Sequence, residues 1–112
     1  MMSTDSFVPV CHVSELIAGG GIAVKIDQQQ VALFYLPEEE PAIYALDSYD
    51  PIGRANVLSR GIVGDRKGEL VVASPLYKQH FSLTTGVCIE DEAESVRSFS
   101  AKILEDQVVV QL

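Results

Sequence analysis

The chain has few of the residues on which several classes of protein depend. Its 112 residues include no tryptophan, two cysteines and eight basic residues against sixteen acidic ones, for a formal net charge of −8 at pH 7. Because neutralising a nucleic-acid backbone takes a basic surface, we expect no nucleic-acid partner. The two cysteines, Cys11 and Cys88, lie far apart in a sequence that shows no export signal, and we expect buried, reduced thiols.

Long apolar runs are also missing. No stretch is long enough to cross a membrane as a helix, and Met1 to Pro9 has neither the basic start nor the apolar core of a secretory leader. We therefore expect no membrane partner and a cytoplasmic location. The length predicts a single domain over residues 1–112.

What the sequence does contain is a series of short apolar runs separated by turn residues, which is typical of an all-β sandwich or barrel. The predicted strands are Phe7 to Val10, Ile22 to Ile26, Val31 to Leu36, Ala42 to Leu46, Glu69 to Ala73, His80 to Leu83, Val96 to Ile103 and Gln107 to Leu112. Val13 to Ile17 predicts one helical turn, capped by Ser14 and ended by Gly19 to Gly21. Gly64 to Gly68 predicts a hairpin turn.

Two segments, Ala45 to Gly53 and Leu70 to Phe81, carry the main functional signal. They resemble the two ligand loops of the Rieske superfamily, with the pattern Cys-x-His followed by Cys-x-x-His. The positions of the four ligands are taken by Asp50, Ile52, Ser74 and Tyr77. A Rieske cluster is bound by two thiolates and two imidazoles, so these side chains do not suit it, and we expect no metal and no cofactor in this chain.

Further short motifs narrow the resemblance. They are Asp50-Pro51, Val57 to Gly61, Val72 to Leu76 and Gly86 to Glu92. Together they are similar to the small subunit of the cytoplasmic NADH-dependent nitrite reductase, whose members look like cluster-free Rieske domains. The resemblance implies a Rieske-like antiparallel β-sandwich or barrel of short strands, with two long loops at one end.

The same resemblance implies a role. The chain would be a noncatalytic subunit of an assimilatory oxidoreductase of nitrogen metabolism, which reduces nitrite to ammonium. Its partner would be a nitrite reductase large subunit carrying FAD, an iron-sulfur cluster and siroheme. The residues themselves offer no nucleophile elbow, no dinucleotide-binding glycine motif and no catalytic residue.

The loops also suggest where a partner would bind. Aromatic residues and arginine are enriched at protein interfaces, so we predict that the large subunit contacts Tyr49, Asp50, Arg54, Pro75 and Tyr77. We expect the apolar members of the loops to pack inside and the polar members to face the partner. Two alternatives stay open: a Rieske-type [2Fe-2S] electron carrier with unusual ligands, and a freestanding cluster-free interaction module.

Overall fold

The structure is a computed structural model that describes residues 7–76 and 78–111, and it confirms the predicted all-β class. Tyr77 and Leu112 lie outside the described residues. The strands are β1 (Phe7–His12), β2 (Gly20–Ile26), β3 (Gln29–Tyr35), β4 (Ile43–Asp47), β5 (Tyr49–Asp50), β6 (Ala55–Asn56), β7 (Ile62–Arg66), β8 (Glu69–Ala73), β9 (His80–Ser82), β10 (Ser98–Leu104) and β11 (Gln107–Gln111). Two 3₁₀ turns span Val13–Glu15 and Leu58–Arg60.

Nine of these strands form three packed layers, and β5 and β6 pair separately with each other. A curled antiparallel sheet has the order β1-β11-β10-β4-β3-β2, and β10 joins its two halves through the pairs Ser98 with Leu46 and Phe99 with Ala45. The halves β1-β11-β10 and β4-β3-β2 enclose one apolar core. A separate sheet, β7-β8-β9, packs on the other side of β4-β3-β2 over a second core.

The middle layer explains the longest apolar run on a strand. Val31 and Leu33 of β3 face the first core, and Ala32 and Phe34 face the second, so all four are fully buried. Successive side chains of a strand point to opposite faces, and a strand covered on both faces is therefore apolar throughout. Strand β4 alternates in the same way, and it ends at Asp47, where the chain leaves the sheet for the first long loop.

Some local predictions were wrong. Gly64 to Arg66 form part of β7, and the predicted turn is reduced to Lys67 and Gly68, which both have a positive φ. Pairing with β8 over five residues supplies the stability that the turn-like sequence Gly-Asp-Arg does not suggest. The first 3₁₀ turn is capped by His12 rather than Ser14, because the His12 ring nitrogen Nδ1 accepts a hydrogen bond from the Ser14 N–H at 3.0 Å.

Within the described residues, no helix has the length and apolar character needed to span a membrane.

Candidate functional site

Two loops leave the sheets at the same end of the molecule and fold with the same turn. In loop 1 (residues 48–57) the Asp50 carbonyl accepts a hydrogen bond from the Arg54 N–H at 2.6 Å. In loop 2 (residues 74–79) the Ser74 carbonyl accepts one from the Lys78 N–H at 3.0 Å. Both turns close on a residue with a left-handed backbone, at φ 60° for Arg54 and 63° for Lys78. We call the two loops together the loop end.

The first side chain of each turn stabilises that turn. The Asp50 oxygen Oδ1 accepts hydrogen bonds from the Ile52 N–H at 2.8 Å and the Gly53 N–H at 3.0 Å. The Ser74 oxygen Oγ accepts one from the Leu76 N–H at 3.3 Å. These are the local side-chain contacts by which Asp and Ser organise turns.

The same two side chains also connect the loops to each other. The Ser74 hydroxyl donates a hydrogen bond to Asp50 Oδ2, and both residues are about 1% exposed. In a buried environment a hydrogen bond of this kind is strong, and a lost partner is costly. Residues 24 positions apart are therefore joined, at the two positions where the sequence resemblance predicts the cysteine ligands of a Rieske cluster.

Gly53 allows the loops to approach closely. A Cβ atom at this position would lie 2.5 Å from Leu76 Cδ1 and 3.0 Å from Asp50 Oδ2. Any larger residue would force the Leu76 side chain to move and would press on the Asp50 carboxylate.

Loop 1 is anchored to the middle layer by Ser48, which is fully buried. Its N–H donates to the Gln30 carbonyl and its own carbonyl accepts from the Leu58 N–H, each at 3.0 Å. Its Oγ accepts a longer hydrogen bond from the Ser59 N–H at 3.4 Å. The base of loop 1 is thus fixed to β3 and to the second 3₁₀ turn.

The donors at the loop end do not fit an iron-sulfur cluster. Asp50 and Ser74 are hydrogen-bonded to each other and to the backbone, and Ile52 has no ligand atom in its side chain. Tyr77, at the fourth position, lies outside the described residues. Over residues 7–76 and 78–111, no group of three His, Cys, Asp or Glu side chains is arranged to hold a metal ion.

The cysteines lie away from these positions. Cys88 is fully buried in the core under β7-β8-β9, and Cys11 is half-buried on β1. Burial raises the pKa of both thiols, and nearby Glu15 raises that of Cys11 further. A thiol with a raised pKa is a poor nucleophile and metal ligand at neutral pH.

The predicted interface residues differ in their exposure to solvent. Tyr49 is 42% exposed, and Arg54 and Pro75 are also on the surface. The expectation that Asp50 lies on the surface is wrong, because its carboxyl group is used inside the loop end. The expectation that the apolar members pack inside is wrong for Pro75 and for Leu76, which is 45% exposed; Ile52 is half-buried against the second core.

Sequence analysis missed a polar cluster beside loop 2. The Glu90 carboxylate accepts a hydrogen bond from the His80 N–H at 2.8 Å, lies 2.6 Å from the His80 ring nitrogen Nδ1, and forms an ion pair with Arg66 at 3.3 Å. Burial raises the pKa of Glu90, but the hydrogen bonds from His80 outweigh it and lower that pKa to about 2. Glu90 belongs to an acidic run that, in the sequence, is typical of a solvated loop. Its contacts with His80 and Arg66 are visible only in the structure.

Comparison with known proteins agrees with this architecture. The family model described as "Rieske-like [2Fe-2S] domain" matches residues 6–111. The nitrite reductase (NADH) small subunit of Salmonella typhimurium is 40% identical over 103 residues, which cover 92% of this chain and 93% of the relative. The chain belongs to this Rieske-like family of small subunits.

Two further relatives bear on the family's organisation. A crystal structure of the proposed NADH-dependent nitrite reductase small subunit of Mycobacterium tuberculosis superposes with a TM-score of 0.85 at 40% identity, covering 93% of this chain and 92% of that one. A nitrite reductase [NAD(P)H] large subunit of Klebsiella oxytoca is 37% identical over 101 residues. That match covers 90% of this chain and 10% of the large subunit, so a Rieske-like segment is part of a much longer chain there.

Proposed function

We propose that this chain is the noncatalytic small subunit of an assimilatory NADH-dependent nitrite reductase, which reduces nitrite to ammonium in the cytoplasm. It binds a large subunit that carries FAD, an iron-sulfur cluster and siroheme. The chain contributes assembly and stability of the complex, and the large subunit performs the redox chemistry.

One observation carries the proposal. The loop end has two matched turns, and the direct hydrogen bond from Ser74 to Asp50 joins them at the positions that the sequence resemblance predicts for two cluster ligands. Side chains that are hydrogen-bonded to each other are not free to bind a cluster, so we do not expect the loop end to carry electrons. Hydrogen bonds within and between the two loops support the shape of the loop end, and a preorganised surface lowers the entropic cost of binding a partner.

The relatives support the partner. The Salmonella typhimurium relative, which is matched over 93% of its own length, is named a small subunit, and a Rieske-like segment also occurs inside a much longer chain named a large subunit. A segment that is covalently joined to a protein in one organism and separate in another is expected to bind that protein in the second.

Measurement of the iron content distinguishes the proposed small subunit from a Rieske-type electron carrier. The purified chain is expected to contain no stoichiometric iron and to show no visible absorption of the Rieske type. Stoichiometric iron with that absorption would contradict the proposal and favour the carrier with unusual ligands.

Affinity capture from cells distinguishes the proposed small subunit from a freestanding interaction module. The tagged chain is expected to recover a siroheme-containing large subunit. Consistent recovery of a different protein would reject the subunit function and leave the fold assignment intact.

A further inference from the structure

Arg54 and Lys78 occupy equivalent places in the two loops. The turns read Asp-Pro-Ile-Gly-Arg from Asp50 and Ser-Pro-Leu-Tyr-Lys from Ser74, so each has a capping side chain, a proline, a branched aliphatic residue and, four positions after the cap, a cation. Each cation closes its turn with a left-handed backbone, which a side chain adopts at some cost. The fold therefore presents two long cationic side chains from matching positions.

Both cations are exposed, and neither forms an ion pair with another described residue. The ion pairs formed by the described residues involve Arg66, His80 and Glu90, and neither Arg54 nor Lys78 takes part in one. The acidic residue nearest to them in their turns, Asp50, is buried beneath the surface. Beside these charges lie the exposed side chains of Pro75 and Leu76.

The charge of the chain is distributed unevenly. The loop end, residues 48–57 and 74–79, contains two basic side chains and one acidic one, whereas the rest of the chain contains six basic and fifteen acidic ones. The loop end belongs to a locally positive part of a protein that is strongly negative elsewhere. An acidic partner would be repelled by most of the molecule and attracted at this end.

We propose that Arg54, Lys78, Pro75 and Leu76 form a basic docking surface that binds an acidic patch on the nitrite reductase large subunit. This inference rests on the proposed function. It adds Lys78 and Leu76 to the interface predicted from the sequence, and it assigns a negative charge to the patch that the partner presents. The apolar side chains supply area that is buried on binding, and the cations set orientation and speed of association.

Charge reversal at matched positions tests the surface. Arg54→Glu and Lys78→Glu are compared with Lys67→Glu, which makes the same change of charge at an exposed residue that also has a left-handed φ, of 56°. Lys67 lies in the turn between β7 and β8, at the far end of that hairpin from loop 2. Binding of each full-length chain to the purified large subunit, with its cofactors in place, is measured at low and at high salt. Thermal melts check that every variant is folded.

At low salt we expect Arg54→Glu and Lys78→Glu each to weaken binding by about fivefold to tenfold, and Lys67→Glu by less than about twofold. High salt should weaken wild-type binding and reduce the differences, because exposed charges are screened. Equal affinities for all folded variants, or an equal loss for Lys67→Glu, would overturn the docking surface while leaving the subunit function in place. A wild-type chain that does not bind the large subunit at either salt concentration would contradict the proposed function itself.

Discussion

A carboxyl group and a hydroxyl group hold the two loops of this protein together. The resemblance to Rieske proteins identified Asp50 and Ser74 as the residues at two ligand positions, but motif spacing cannot say whether two side chains touch. Asp50 was misplaced on the surface because acidic residues are mostly exposed. The sequence Asp-Pro-x-Gly does contain a signal, since Asp at the start of such a turn commonly bonds to the backbone ahead of it.

Ser74→Ala tests this connection. The substitution leaves Asp50 Oδ2 buried without its donor, so we expect the free energy of unfolding to fall by about 2 kcal/mol. Urea unfolding measures the change, and Ser100→Ala, at an exposed position of β10, serves as the control. A double-mutant cycle with Asp50→Ala should give a coupling of about 1 kcal/mol or more. Equal stability of Ser74→Ala and the control would show that the hydrogen bond contributes nothing.

At the level of strands, prediction succeeded where the apolar sequence pattern by itself favours the strand that is observed. Strand β8 has the predicted bounds Glu69–Ala73, because a run of apolar residues follows a glycine turn. The short strands β5 and β6 and the strand β7 were missed, since their sequences contain turn residues and their strand geometry depends on a partner strand. The similarity of the two turns extends over only five residues, which is too short to stand out as a repeat in the sequence.

The turn after β9 gives a test at this scale. Gly86 has φ +83°, and a Cβ atom there would collide with the Val96 carbonyl oxygen. We expect Gly86→Ala to lower the free energy of unfolding by about 2 kcal/mol or more, through strain and displacement of the segment that follows. Gly64→Ala is the matched control, because nothing lies within 4 Å of its Cβ position. Chemical denaturation measures the stability of both variants. Equal stability would contradict the close approach of Gly86 to the Val96 carbonyl oxygen.

Glu90 connects the segment after β9 to His80 on β9 and Arg66 on β7. Its pKa is lowered from 4.5 to about 2, so the stability it adds is fully present above about pH 4.5 and is lost as the pH falls toward 2. We expect Glu90→Gln to cost about 1 kcal/mol at pH 7, a figure reduced for the partial exposure of the carboxylate.

The pH dependence supplies the check on Glu90. The stability difference between wild type and Glu90→Gln should shrink between pH 4.5 and 2. Glu92→Gln, an exposed neighbour, should show no comparable difference at any pH. A difference that stays constant on acidification would contradict the assigned role.

For the whole molecule, the fold class and family followed from the sequence, but the three-layer arrangement did not. The run Val31 to Phe34 is apolar enough for burial on both faces, yet sequence alone does not say which layer covers each face. The uneven distribution of charge could be read from the sequence, but its meaning depends on the structure, which buries Asp50 and exposes Arg54 and Lys78. Two exposed cations at the loop end of an otherwise acidic protein would give the proposed acidic patch of the large subunit a preferred orientation of approach.

The central claim is that this chain acts through a large subunit and performs no redox chemistry itself. The most direct measurement is NADH-dependent formation of ammonium from nitrite by the purified large subunit, with and without the added chain. We predict that the chain forms a complex with the large subunit, raises its rate or preserves its activity over time, and produces no ammonium alone. Unchanged activity together with no complex on a sizing column would contradict the claim.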